Sequence, residues 1–364
     1  MIVNDIIKQL ETLASPVYQE EYDNCGLITG NIHQEVTGIL ISLDCIESIV
    51  EEAIRTRCNL IVAHHPIIFK GLKKINGNNY IERTIIKAIK HDVAIYAIHT
   101  NLDNVVGGVN FKIAEKLGLE NVKILSSKKH FLKKLITYVP HEHKENLLQA
   151  LYKVGAGKIG NYSECSYQLD GTGTFRPNEK ATPTIGNANE LETVEEKRIE
   201  VIFPTPLESS IICTLRQKHP YEEPAFDIIL LENKNPEIGS GAIGDLPISM
   251  KEAEFMNFLK SRMALSCIRH TTFIGKEIKK VAVCGGSGSF LLKNALNTHA
   301  DVYISADFKY HDFFDAENKI VIADIGHYES EVFTKDLIYD FLIKKFSNIA
   351  IRLAETDTNP ISYI

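Results

Sequence analysis

Three segments of the chain end in side chains able to hold a transition metal. Leu60-Ile61-Val62-Ala63 runs into His64-His65-Pro66, and Val93 to Ile98 runs into His99-Thr100-Asn101-Leu102-Asp103. Ile320 to Ala323 runs into Asp324-Ile325-Gly326-His327, with Glu331 four residues further on. Each is an apolar, strand-like run followed by imidazole or carboxylate, and in open α/β sheets ligands gather beyond the carboxyl ends of the strands. Neighbouring side chains on a strand point apart, so His64 and His65 suit two ions side by side better than one shared ion. Pro66 restricts His65 to extended backbone and helps fix that divergence. His327 and Glu331 stand at i and i+4, which gives one helix face and a common target. Glu331 has two oxygens and could bridge both ions. The mixed nitrogen and oxygen shell suits zinc, manganese, iron or cobalt better than calcium or magnesium. The expectation is a pair of divalent transition-metal ions held by His64, His65, Asp103, His327 and Glu331.

Two such ions about 3.5–4 Å apart lower the pKa of a bridging water and clamp a substrate oxygen. That chemistry suits hydrolysis of a phosphoester, an amide or a purine ring. His99 and His311 are the candidate proton carriers, because imidazole titrates near neutral pH. For His99 the rival reading is a support role behind the ligands. Asp307 and Lys309, which follow another strand, are candidates to line the same cavity.

The elements that must position these residues alternate in a βα rhythm, the signature of a largely parallel sheet. Strands are expected at Gly38–Leu43, Leu60–Ala63 and Val93–Ile98, with helices at Glu47–Arg57, Tyr80–His91 and Gly108–Leu117. The rhythm stops near residue 128. It resumes after Ile243 with strands at Val281–Cys284, Val302–Ile304, Ile320–Ala323 and Ile349–Leu353, and helices at Ser289–Thr298 and Glu331–Lys345. Met1 to Ser15 reads as an amphipathic helix with Ile6, Ile7, Leu10 and Leu13 on one face, not as a leader.

The middle of the chain differs. Strand Leu135–Val139, helix His143–Val154, a strand pair Glu164–Leu169 with Thr172–Phe175, strand Arg198–Phe203, helix Leu207–Lys218 and strand Ala225–Leu231 come close to a βαββαβ order, the split ferredoxin-like arrangement. Asn178–Lys197 reads as a long loop, and the Pro/Gly-rich Asn235–Pro247 as a return linker. The expected organisation is a discontinuous α/β metal-binding domain over 1–128 and 240–364, with helices on both faces of its sheet, interrupted by an inserted α+β domain over 129–239.

Bulk properties narrow the function. The chain has 364 residues, 44% of them hydrophobic and 24% charged, with a net charge of −7, which argues against a nucleic-acid partner held by an overall basic surface. Its seven cysteines form no C-x-x-C pair, so neither a disulfide framework nor a cysteine zinc site is indicated, and a reduced cytoplasm fits best. No apolar run reaches membrane-spanning length. Gly285-Gly286-Ser287-Gly288 lacks the lysine of a P-loop and reads as a tight turn, with anion binding as the rival.

Further blocks carry a resemblance. Asp23-Asn24-Cys25-Gly26-Leu27, Ala63-His64-His65-Pro66, His99 to Asp103, Cys284 to Gly288, Ser305 to His311 and Asp324 to Glu331 together resemble the Nif-three-like dinuclear metal-centre family, whose members are often labelled GTP cyclohydrolase 1 type 2 homologs. The resemblance implies that His64 and Asp103 bind one metal, His65 and His327 the other, and that Glu331 contacts both. It also implies a ring-shaped homohexamer with the metal sites facing an internal cavity. Tyr22 and Ser305-Ala306 depart from the common family pattern without touching a presumed ligand. Gly171 to Pro177 and His219 to Pro224 resemble a PII-like inserted domain, read as a packing and oligomerisation module with His219, Glu222 and Glu223 as rival metal ligands. The reading that follows is a metal-dependent hydrolase of a nucleotide-like or other anionic small molecule. GTP ring opening is suggested by the family label alone. The alternative is a metal-binding, metal-delivery or regulatory protein without turnover.

Overall fold

The computed structural model describes residues 1–364 and has two compact units, Met1–Ser127 with Glu237–Ile364, and Lys128–Pro236. The fold is mixed α/β.

The first unit holds two sheets. In one, the spatial order is Gly26–Thr29, Ala94–Ala97, Leu60–Ala63, Gly38–Ser42 and Ala350–Leu353. The last four strands run parallel, and Gly26–Thr29 is an antiparallel edge. All residues of Gly38–Ser42, Leu60–Ala63 and Ala94–Ala97 are buried, which explains their continuous apolar runs. Helices Glu47–Arg55 and Tyr80–Lys90 cover one face, packing Ile49, Val50, Ala53, Ile85 and Ala88 onto Ile61 and Ile95. The second of these helices starts where Asn79 accepts a hydrogen bond from the Glu82 amide at 2.9 Å.

The other sheet has the order Arg269–His270, Val321–Asp324, Val302–Ala306, Glu277–Ser287, Asn235–Lys251 and Glu120–Lys128. Its three central strands from Val321–Asp324 to Glu277–Ser287 are parallel. Asn235–Lys251 corrects the expected return linker, because it is a 17-residue strand. Its glycines serve close backbone approach rather than a loop: a Cβ at Gly239 would overlap Ser126 O, and one at Gly244 would come within 2.9 Å of Glu120 O. The helix expected from Glu331 is instead two, His327–Glu331 and Thr334–Lys345.

The second unit has one four-stranded sheet, in the order Tyr167–Phe175, Glu192–Pro204, Leu132–Pro140 and Phe226–Leu230, with every pair antiparallel. Helices Lys144–Lys153 and Glu208–Lys218 pack Leu147, Leu151, Ile211 and Leu215 on Leu135, Val139, Ile199 and Val201. Two expectations are corrected here. The pair Glu164–Leu169 and Thr172–Phe175 is one nine-residue strand that runs through Gly171 and Gly173. Its partner strand begins at Glu192, inside the stretch read as loop. Gly173 makes room there for the Glu196 side chain of the neighbouring strand. No helix in the protein is long and apolar enough to cross a membrane. All seven cysteines are free.

Candidate metal centre

The carboxyl ends of parallel strands from both sheets of the first unit deliver the site. After Leu60–Ala63 the backbone stays paired, with the His64 amide donating to Ser42 O and the His65 amide to Leu43 O at 3.2 and 2.9 Å, so both imidazoles leave from fixed positions. After Ala94–Ala97 a short helix, Thr100–Asp103, puts Asp103 one turn beyond His99. After Val321–Asp324, Gly326 turns the chain at φ 91° into His327–Glu331.

Glu331 is the centre of the arrangement and is only 3% exposed. Its Oε2 lies 2.9 Å from His65 Nε2 and 3.1 Å from His327 Nε2, while its Oε1 lies 3.9 Å from His64 Nε2. His64 Nε2 is also 3.7 Å from Asp103 Oδ1. Two donor sets result, His65 with His327 and Glu331, and His64 with Asp103 and Glu331, each with its donor atoms within 4.8 Å of one another. A third set of the same spread joins His64, His65 and His99.

The opposite ring nitrogens are all anchored. His64 Nδ1 donates to Ile98 O at 2.9 Å, His65 Nδ1 to Asp44 Oδ1 at 2.8 Å, and His327 Nδ1 to Asp307 Oδ2 at 2.7 Å. Anchoring at Nδ1 fixes ring orientation and aims Nε2 inward. Asp44 is itself held by the Thr358 hydroxyl at 2.6 Å. His99 Nδ1 donates to Asp23 Oδ1 at 2.8 Å, and Asp23 also accepts from the Thr100 amide at 3.0 Å and from the Thr100 hydroxyl.

The charges are strongly coupled. Burial opposes ionisation of Glu331, but hydrogen bonds from His327 and His65 outweigh burial and hold the carboxyl well below its usual range. Burial likewise opposes charge on His65 and His327, yet their carboxylate partners raise them to about 9 and about 11. Asp103 is pushed up to about 7, mainly by burial, with Glu331 adding to it and His64 opposing. Burial also acts to raise Asp23, but the hydrogen bond from His99 and those from Thr100 and Cys25 leave it far below the carboxylate range.

Two atoms at this centre, His64 Nε2 and Asp103 Oδ1, are buried without any hydrogen-bond partner. Buried polar atoms are almost always satisfied, so such a pair needs an explanation, and a cation between them supplies one. The donor chemistry agrees: imidazoles and carboxylates converge with no lysine or arginine among them.

The centre opens into a cavity of about 480 Å³ with Tyr22, Phe69, Tyr80 and Phe290 in its walls. His99 lines this cavity, its ring 5.2 Å from that of His64 and 5.7 Å from that of Phe69. His311 does not line it. That residue is exposed, its ring 5.3 Å from that of Tyr310. Gly285 and Gly286 wall the centre closely, and their amides are already spent on Asn110 Oδ1 and Ser330 Oγ, each at 2.9 Å, as a tight turn requires and an anion cradle does not. His219 has both ring nitrogens occupied, one by Tyr138 O at 2.8 Å and one by the Tyr221 amide at 3.1 Å, so it is a turn residue. Asp44 and Asp23 are the supports that sequence reasoning missed. Asp44 was visible as a carboxylate two residues past the strand Gly38–Ser42, whereas nothing local to Asp23 points at His99.

Comparison with known proteins adds a context. The model of the family described as DUF34/NIF3 (NGG1p interacting factor 3) matches residues 1–360. A Bacillus subtilis protein named GTP cyclohydrolase 1 type 2 homolog is 39% identical over 365 residues, covering 99% of this chain and 98% of that one. A Halalkalibacterium halodurans protein of the same name is 37% identical, covering 99% and 98%. Among solved structures, a Bacillus cereus protein related to NIF3 superposes with a TM-score of 0.87 at 36% identity, covering 100% of this chain and 99% of that one.

Proposed function

The chain belongs to the DUF34/NIF3 family, and we propose that it is a dinuclear divalent-metal protein that works as a hydrolase of a nucleotide-like or other anionic small molecule. His64 and Asp103 would hold one ion and His65 and His327 the other, with Glu331 reaching both. The observation that carries this reading is the orphaned pair His64 Nε2 and Asp103 Oδ1, buried beside a carboxylate shared with a second complete donor set. Zinc, manganese, iron and cobalt fit the donors. When bound, such ions supply Lewis acidity toward a water and a substrate oxygen.

The chain's own residues do the rest. Asp44, Asp307 and the Ile98 carbonyl hold the three ligand imidazoles in one tautomer and direction. The aromatic walls around a 480 Å³ space suit a substrate with a flat or apolar portion, and the volume is in the range of small-molecule sites. His99, tied to Asp23 and facing that space, is our candidate for the group that takes or returns a proton on the substrate.

We further propose a homo-oligomer, with the ring-shaped homohexamer as the specific expectation. Supporting it, Tyr310 and Phe314 stand 72% and 64% exposed next to each other, their rings 5.4 Å apart, an apolar patch that suits burial against another copy. Light scattering on the purified chain tests it. The reading of the site is tested by element analysis of protein purified without chelator, beside Glu331→Ala, with GTP and a generic phosphodiester offered to both. About two ions per chain, lost in the variant together with turnover, are expected from the two donor sets. Two ions without turnover would leave a metal-binding or regulatory protein. No metal after reconstitution with zinc, manganese or iron would refute the centre.

A further inference from the structure

The Lys128–Pro236 unit carries a second cavity, of about 620 Å³, that shares no residue with the metal centre. It lies on the sheet face away from the two helices: Glu196 and Arg198 line it, and they alternate along their strand with Ile199 and Val201, which pack beneath the helices. The remaining walls include the two motifs that the metal chemistry leaves unused, Gly171 to Pro177 and Tyr221 to Glu223, together with Ala181 and Pro183 to Ile185.

At its floor Glu196 is only 8% exposed. The Tyr221 hydroxyl donates to Glu196 Oε1 at 2.7 Å. The other oxygen, Oε2, occupies the room left by Gly173, where a Cβ would overlap it. The nearby guanidinium is not its partner: Arg198 is engaged by Glu200 at 3.0 and 2.9 Å. Arg176 likewise donates to Asn189 O at 2.9 Å. Glu196 is thus a buried carboxylate facing a cavity, with a neutral hydroxyl on one oxygen and no cationic side chain paired to it. Burying such a group without a cation or further donors is costly. Above it, the Phe175 and Tyr221 rings stand 5.8 Å apart at 58°, offering aromatic surface beside the charge.

We propose that this cavity binds a small organic cation, an amine or amidinium whose N–H donates to Glu196 while its apolar body lies against Phe175 and Tyr221. The carboxylate supplies a charge-assisted acceptor, and the rings favour a cation over a neutral body. A metal ion fits less well, because His219 has both ring nitrogens committed and no three imidazole, thiol or carboxylate donors converge here closely enough to share one ion.

Calorimetric titration of the full chain with benzamidine, 2-phenylethylamine and the neutral 2-phenylethanol tests this. At least one of the two cations should saturate at one site per chain. The alcohol, and Glu196→Gln titrated with that cation, should each bind about tenfold or more weakly. Tyr221→Phe keeps the charge and loses one orienting hydroxyl, so it should weaken binding by a smaller factor. Circular dichroism checks each fold, and if E196Q does not fold, Tyr221→Phe and the alcohol decide by the same criteria. Failure of both cations to saturate, or binding indifferent to charge and to these variants, overturns the proposal.

Discussion

Gly286→Ala should damage the metal centre through a single methyl group. Gly286 has φ 58°, and a Cβ there would overlap Glu331 Oε1 while lying 3.1 Å from Glu331 Cδ and 3.2 Å from His327 Cε1. Two costs separate cleanly. The left-handed backbone costs alanine ~1–2 kcal/mol. The overlap forces the Glu331 carboxylate back by roughly half an ångström or more, against a tolerance of about 0.2 Å for a metal ligand. Gly118 provides the control, because it has φ 65° and nothing within 4 Å of where an alanine methyl group would stand. Gly118→Ala should therefore show the backbone cost and leave metal affinity unchanged. Gly286→Ala should lower affinity by about 10–100-fold, the range seen when a ligand's support is lost. Chelator competition measures the affinity and denaturant unfolding the stability. A Gly286→Ala protein that binds metal as the wild type does, with no more destabilisation than Gly118→Ala, would refute the idea that this turn walls the shared ligand.

The other expectations concern the supports and the protons. Asp44→Asn and Asp307→Asn should each weaken metal binding about 10–100-fold without unfolding, and unchanged affinity in both would show that the Nδ1 anchors at 2.8 and 2.7 Å are incidental. In the metal-free protein His65 and His327 are raised to about 9 and about 11 by their carboxylate partners against opposing burial, so metal must displace protons from them. Affinity should accordingly rise with pH from 6 to 9, with proton release seen by calorimetry in buffers of different ionisation heat, and a flat profile would contradict this. Asp23 has a depressed carboxyl, so its contribution to stability is present above the unfolded value near pH 4 and disappears as pH falls through the folded one. Asp23→Asn should cost about 1.5–3 kcal/mol in urea unfolding at pH 7 and less at acid pH; an equal loss at both would rule out the ionised form as the stabilising one.

Chemistry at strand ends was legible because period and polarity are local properties. An apolar run of four residues that stops at His64, or at Asp324 before His327, announces a buried strand whose exit meets solvent or a cavity. The i, i+4 spacing of His327 and Glu331 was equally readable, and in the structure they share one target at 3.1 Å. Glycine misled the reading of Asn235–Pro247. Gly239 and Gly244 look like turn residues in sequence, but they sit in a strand where a carbonyl of the neighbouring strand takes the place of a side chain. Local sequence cannot distinguish those uses.

That the chain is mixed α/β, and that imidazoles and carboxylates cluster at strand exits, could be read from residues a few positions apart. Which of those side chains meet depends on long-range packing. His65 and Glu331 are separated by 266 positions yet lie 2.9 Å apart, and Asp44, Asp307 and Asp23 became partners of His65, His327 and His99 through contacts between distant segments. The same packing set His311 on an exposed segment away from the centre, although its sequence neighbourhood resembles that of a site residue. Convergence of this kind is fixed by how the two sheets of the first unit bring their strand ends together, and no run of neighbouring residues encodes it.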